Sequence, residues 1–270
     1  FVGTRFGNKI TAIVKKDGKT EIKTIAEGLY RPNGLAYHNG TLYIAHAQGV
    51  QYLKPQPGTT PMFVNVTGVA NQCWALKEFV DPDGKVPPQL ILTASDGLFV
   101  IDGDRARPIV DSGGTRAFGT FVVEPSKIDP HRMWVGLADG LASVRWDGTR
   151  WTNEGRIAGI NDQIRSMWQG PDGVVWAGTQ SSGLIRLVNG DAPAGQVRPE
   201  HPEVRRYGVN EGLAIGVQDL GVGRRIKIMA EGLHGRALAY REALQGGATP
   251  LADVLRRNAY GGRSPTDAEV

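Results

Sequence analysis

Polar side chains able to grip a small ligand recur beside short turns through the first two thirds of the sequence. They are Arg31 and Asn33 in YRPNG, His46 and Gln48 in AHAQG, Gln72 in ANQC, Asp96 in ASDG, Arg116 in GTRAF, Asp139 in LADG, Asp162 and Gln163 in INDQ, and Gln180 in TQSSG. Charges of both signs and amides, brought to one concave surface, would hydrogen-bond a small polar molecule such as a sugar. Singly, each also suits a solvated turn, where Asp and Asn side chains mimic turn backbone.

Other chemistries find fewer residues. The histidines at 38, 46, 131, 201 and 234 have neither paired spacing nor cysteine companions, so no zinc site is expected. DPDG at 81–84 and GPDG at 170–173 lack the acidic spacing and terminal Glu of a calcium loop, and hairpin turns account for them. GVGRR at 221–225 lacks the GK[ST] ending of a phosphate loop, and no GxSxG nucleophile elbow occurs. Cys73 is the single cysteine, which forbids an intrachain disulfide; within QCWAL it reads as a buried, inert thiol on an inner strand. The residues themselves therefore point to binding, with no cofactor and no metal.

Something must carry those turns to one place, and a repeat does so. FVGTRFG, LYIAHAQG, ILTASDG, MWVGLADG and VWAGTQSSG share a bulky residue, a small residue, a polar patch and then Gly. The small residues are Gly3, Ala45, Ala94, Gly136 and Gly178, at steps of 42, 49, 42 and 42. The long step holds DPDGKVPPQ, which reads as a lengthened loop. Within each copy the apolar residues alternate with period two and are β-branched or aromatic, as strands require. HNG at 38–40 and PDG at 171–173 are tight-turn signals between such strands. Each repeat Gly leads into a further apolar run and then a more polar one (RARPIV, TRWTNE, EVRRYGV).

Four short antiparallel strands per unit of this length make a β-propeller blade. A β-sandwich also has many short strands, but it needs no motif returning at a constant step. The fold expected is all-β: about five four-stranded blades over residues 1–218, the small residue allowing neighbouring sheets to press together. Residues 1–5 read as the second strand of a blade, and 211–218 are placed to supply its first. In this fold the connections between blades and the turns between second and third strands emerge on one face, so all the polar residues above should ring one mouth of the central channel.

Composition agrees with turn-dense β structure: 270 residues, 40% hydrophobic, 37 glycines. The formal charge is +4, and the basic residues are dispersed through residues 1–220, which disfavours nucleic acid as a partner. No apolar run is long enough to span a membrane. Beyond residue 219 the periodicity changes. Ile226, Met229, Leu233, Ala237, Tyr240 and Leu244 form a helical stripe, Gly246 and Gly247 stop it, and Thr249, Pro250 and Asp253 open a second helix. Residues 219–270 are expected to be a helical hairpin that needs the propeller or a protein partner to cover it.

Three family resemblances lie on these motifs. VGTRFGNKITAIV and GLYRPNGLAYHNGTLYIAH, within residues 1–54, resemble the glucose/sorbosone dehydrogenases. That resemblance implies pyrroloquinoline quinone with calcium and oxidation of a sugar or aldehyde, for which His46, Arg31 and Arg116 are the available base and cations. Residues 70–217, with CWAL, LTASDGLFVI, DPHRMWVGLADGLASVRW, IRSMWQGPDGVVWAGTQSSGLIRL and YGVNEGL, resemble the propeller repeats of bacterial two-component sensors and cyclases. These imply an extracytoplasmic, periplasmic module that senses a ligand or binds a protein. Residues 219–262 are similar to the C-terminal part of the ubiquinol-cytochrome c chaperones, which implies docking to a respiratory assembly partner. The abrupt changes near 54 and 219 fit a joined or recombined sequence.

Overall fold

The structure is a computed structural model and describes residues 1–4, 7–54, 62–109, 119–199 and 201–208. These form one three-stranded and four four-stranded antiparallel sheets, each in chain order. The first blade holds β1 (Val2–Thr4), β2 (Lys9–Lys16) and β3 (Lys19–Ala26). The second holds β4 (Gly34–His38), β5 (Thr41–His46), β6 (Gly49–Lys54) and β7 (Met62–Asn65). The third holds β8 (Cys73–Phe79), β9 (Gln89–Ala94), β10 (Gly97–Asp102) and β11 (Arg105–Pro108). The fourth holds β12 (Thr120–Pro125), β13 (Arg132–Leu137), β14 (Gly140–Trp146) and β15 (Trp151–Arg156). The fifth holds β16 (Ile164–Gln169), β17 (Val175–Thr179), β18 (Leu184–Val188) and β19 (Glu203–Tyr207). The first strands pack side by side around the axis, β4 beside β8, β8 beside β12 and β12 beside β16.

This is a β-propeller, and its core is a set of layers between blades. Ile10, Ala26, Leu42 and Ile44 fill the space between the first and second blades, and Tyr43, Ala45, Leu90 and Leu92 that between the second and third. Phe79, Ile91, Val135 and Trp146 follow, and then Trp134, Ile164, Val175 and Ile185. Adjacent residues of one strand thus serve opposite layers, which is why the second strands read as unbroken apolar runs. Fully burying such a side chain contributes about 1.5–3 kcal/mol.

The repeated small residues Ala45, Ala94, Gly136 and Gly178 fall in the second strand of their blade, and Gly3 falls in β1. At Gly136 the reason is measurable: a Cβ there would stand 2.6 Å from Val122 Cγ1 and 2.8 Å from Ile164 Cγ2 of the next blade. The turn from β4 to β5 runs through Asn39 (φ 46°) and Gly40 (φ 78°), the left-handed pair that HNG announces. DPDGKVPPQ lies in the connection from β8 to β9. The described sheet of the first blade has three strands, in the order β1-β2-β3. Segment 211–218 and the helical hairpin at 219–270 lie outside the described residues.

Candidate functional site

Three of the innermost strands carry the same irregularity at the same place. In β8 the register passes from Cys73↔Ala94 to Ala75↔Thr93, leaving Trp74 as an extra residue. In β12 it passes from Thr120↔Leu137 to Val122↔Gly136, leaving Phe121. In β16 it passes from Ile164↔Thr179 to Ser166↔Gly178, leaving Arg165. The second blade has no such step, its pairs running from Gly34↔Ala45 to His38↔Thr41 without a break. A β-bulge bends its strand and re-aims the extra side chain, and bulges gather at functional sites.

The three re-aimed side chains meet. Trp74 and Phe121 are edge-to-face with ring centroids 4.9 Å apart. The Arg165 guanidinium lies 3.8 Å from the Phe121 ring centroid and 4.9 Å from that of Trp74. Arg165 and Trp74 belong to the fifth and third blades, with β12 packed between their strands, so they reach one another across the channel face of the fourth. Arg165 Nε donates to Gln180 Oε1 at 2.8 Å, and Trp74 Nε1 donates to Ser95 Oγ at 3.3 Å; both bonds are open to solvent.

The bulges are braced from behind. Ala75 N–H donates to the buried Thr93 Oγ1 at 2.9 Å, and that hydroxyl donates to Phe121 O at 3.2 Å, linking two bulges across a blade interface. Thr120 Oγ1, also fully buried, takes the Ala94 N–H at 3.2 Å and donates to Gly97 O at 2.8 Å. Gly34 lets the second blade approach: a Cβ there would stand 2.7 Å from Trp74 O.

The described residues among those singled out in the sequence have differing tasks. Gln180 joins the stacked group directly. Asn33 Nδ2 donates to Cys73 O at 2.8 Å, tying the second blade to the start of β8. Gln72 and Gln163 contribute backbone carbonyls, which accept from Ser95 N and Gln180 N at 2.9 Å each. His46 is buried; its Nδ1 accepts the amide of the exposed Gln48 at 3.2 Å, while Nε2 has no hydrogen-bond partner. Burial lowers the His46 pKa, so the ring is neutral near pH 7. Arg31 is exposed, in a left-handed conformation (φ 51°), its guanidinium 5.7 Å from the Tyr30 ring. Asp139 accepts from Arg156 at 2.8 and 3.0 Å, and Asp162 from Arg206 at 3.1 Å, so outermost strands hold both carboxylates. Asp96, on the turn after β9, adds to the burial that pushes the Cys73 thiol up to about 12, and Cys73 is inert. Arg116 lies outside the described residues.

Trp74, Phe121 and Arg165 escape a reading confined to loops because they stand on strands. A spacing does mark two of them: each sits two residues beyond a glutamine of the preceding connection, as Gln72 to Trp74 and Gln163 to Arg165.

Among the described residues, Asp81, Asp83 and His131 place possible metal-ligand atoms within 4.8 Å of one another. The Asp81 carboxylate, however, accepts the amides of Asp83, Lys85 and Val86, and Asp83 pairs with Lys85 Nζ at 2.8 Å. The group locks the long loop of the third blade.

Comparison with known proteins reaches the two parts of the chain differently. A family profile for the ubiquinol-cytochrome c chaperones matches residues 210–270. No curated protein matches the chain. Solved structures match its fold. The extracellular domain of the putative one component system BT4673 from B. thetaiotaomicron aligns with TM-score 0.53 and 13% identity, over 77% of this chain and 26% of that one. Chaetomium thermophilum Sqt1 bound to the N-terminus of ribosomal protein L10 aligns with TM-score 0.48 and 19% identity, over 66% and 52%. The gluconolactonase XC5397 from Xanthomonas campestris aligns with TM-score 0.46 and 12% identity, over 75% and 69%. The chain thus spans about a quarter and about half of the first two. At these identities the likeness is one of fold.

Proposed function

We propose that this chain is a non-enzymatic, ligand-binding propeller of the sensor kind, with an extracytoplasmic setting, and that a small polar ligand docks at the channel mouth. One observation carries the reading: three consecutive innermost strands each spend a bulge to bring Trp74, Phe121 and Arg165 into one solvent-facing group. Flat rings and a planar cation bordered by the Gln180 amide and the Ser95 hydroxyl offer a stacking surface with directed hydrogen bonds, as small polar ligands require. The fold likeness to an extracellular sensor domain supports the setting.

Titration of a panel of mono- and disaccharides and their acids, followed by calorimetry, tests it. A binder should lose at least tenfold in affinity, about 1.4 kcal/mol, on Trp74→Ala, with the melting temperature nearly kept. A panel in which nothing binds, or a binder indifferent to Trp74→Ala, sinks the mouth as the site.

The chaperone-family match favours a second activity in the same chain, docking of a protein through residues 210–270. The full chain should capture a respiratory assembly partner, and a chain ending at residue 209 should not. Equal capture by both removes this reading. The quinone dehydrogenase reading gains less: His46 is buried, and Arg31 stands out in solvent beside Tyr30.

A further inference from the structure

We infer that the chain has a second binding site, between the outer strands of the third and fourth blades, and that its ligand is a neutral, largely apolar ring compound bearing a carbonyl oxygen. The layer of side chains between these blades opens there into a cavity of about 670 Å³, a size that encloses small organic ligands. The sequence feature that builds it is the long step of the repeat. That step holds DPDGKVPPQ, whose last four residues, Val86, Pro87, Pro88 and Gln89, line the cavity. The start of the same segment is locked, because the buried Asp81 carboxylate accepts the amides of Asp83, Lys85 and Val86. The two prolines then fix the backbone beyond it. A wall held in this way is preorganised, which lowers the cost of binding. The fourth blade contributes Trp146 and Trp151, a cross-strand pair with ring centroids 5.6 Å apart.

The polar groups of the cavity define what fits. Trp151 Nε1 donates to Gln89 Oε1 at 2.9 Å from one blade to the other. That bond orients the Gln89 amide and leaves its Nε2 donors without a protein partner among the described residues. The indole N–H of Trp146, buried in the same wall, has no partner among them either. The charges, by contrast, are matched: Arg107 pairs with Asp102 at 2.5 Å and Arg150 with Asp147 at 3.5 Å. Unfilled donors in an apolar wall favour a ligand that brings an acceptor oxygen. Matched charges disfavour an ion, which would lose its hydration there without gaining a partner.

The experiment measures binding of three probes to the full chain by calorimetry: coumarin, a neutral fused-ring lactone; 1,2-dihydronaphthalene, of similar shape without oxygen; and the anion coumarin-3-carboxylate. Coumarin should bind about two- to tenfold more tightly than the hydrocarbon, the margin of one hydrogen bond between neutral groups, and the anion should bind least. Gln89→Met should erase the margin while the hydrocarbon still binds. Val100→Trp, which fills the cavity from β10, should abolish binding of all three, with circular dichroism melting as the control for folding. Trp74→Ala, which damages the mouth, should leave coumarin binding unchanged. Coumarin that fails to bind, or that binds no better than the hydrocarbon or the anion, overturns the inference. So does binding that survives Val100→Trp in a folded chain, or binding that is lost with Trp74→Ala.

Discussion

The two ends of the innermost strands spend polar groups in opposite ways. At the far end Arg132 is fully buried and holds Glu154 through Nε at 2.7 Å and Nη2 at 2.8 Å, with Asp191 and the Ala192 carbonyl on Nη1. Ser143 donates to Glu154 at 2.6 Å, Ser126 and Gln169 donate to Asp191 at 2.6 and 2.8 Å, and Arg145 pairs with Asp129 at 2.9 Å. These groups join the fourth blade to the fifth and face one another, away from water. At the mouth the bonds of Arg165 and Trp74 lie open to solvent. A closed network makes a structure; an open, aromatic-backed one offers contacts to something else.

The network end gives the largest expected effect. Burial by itself would lower the Arg132 pKa, but hydrogen bonds and charge from Glu154, then Asp191, outweigh it and hold the guanidinium above its usual value. Arg132→Met leaves the largely buried carboxylates of Glu154 and Asp191 without their nearest cation and should cost about 3–5 kcal/mol in denaturant unfolding. Replacing Arg132, Glu154 and Asp191 together by apolar residues of similar volume should cost far less, because most of the single-variant penalty is stranded charge. A mild single variant would mean that water reaches the network and the contrast between the ends is false.

The matching change at the mouth should be small in stability. Phe121→Ala removes an edge-to-face partner from a half-buried site, a contact class that contributes about 0.5–1.5 kcal/mol. Thermal unfolding should register a loss somewhat above that figure, because buried ring area is lost as well, yet below that of Arg132→Met, while affinity for any mouth ligand falls further. A loss comparable to that of Arg132→Met would make the aromatic group part of the core.

How legible this was follows from where the information sits. The five small residues announce the blades by their recurring step, and at Gly136 the approach of the next blade leaves no room for bulk, since a Cβ there would stand 2.8 Å from Ile164 Cγ2. That Asn33, His46, Gln72 and Gln180 share a face is an expectation drawn from strand direction alone. The bulges did not show, because one extra residue in a strand leaves no mark on composition and only a slight one on alternation. Nor did the fates of Asp139 and Asp162 show: their arginines, Arg156 and Arg206, stand 17 and 44 residues away. The buried network was equally hidden, since Arg132 lies 59 residues from Asp191.

His46 supplies the finest probe of the same contrast, since it is buried yet belongs to the mouth end. Its pKa is lowered by burial, so between the folded and unfolded values the unfolded chain binds more protons than the folded one. Stability contributed by the neutral ring is therefore fully present above the unfolded pKa, about 6.5, and is lost as pH falls through the depressed folded value. Glu154, also held below its usual value against burial by Arg132 and Ser143, loses its contribution at lower pH, through the carboxylate range. Acid unfolding should thus begin with a shallow decline near pH 6 that His46→Gln removes, followed by a steeper one that it leaves in place. If the variant kept the shallow phase, the ring would already be hydrated in the folded chain, and the mouth would be open to water as far as His46.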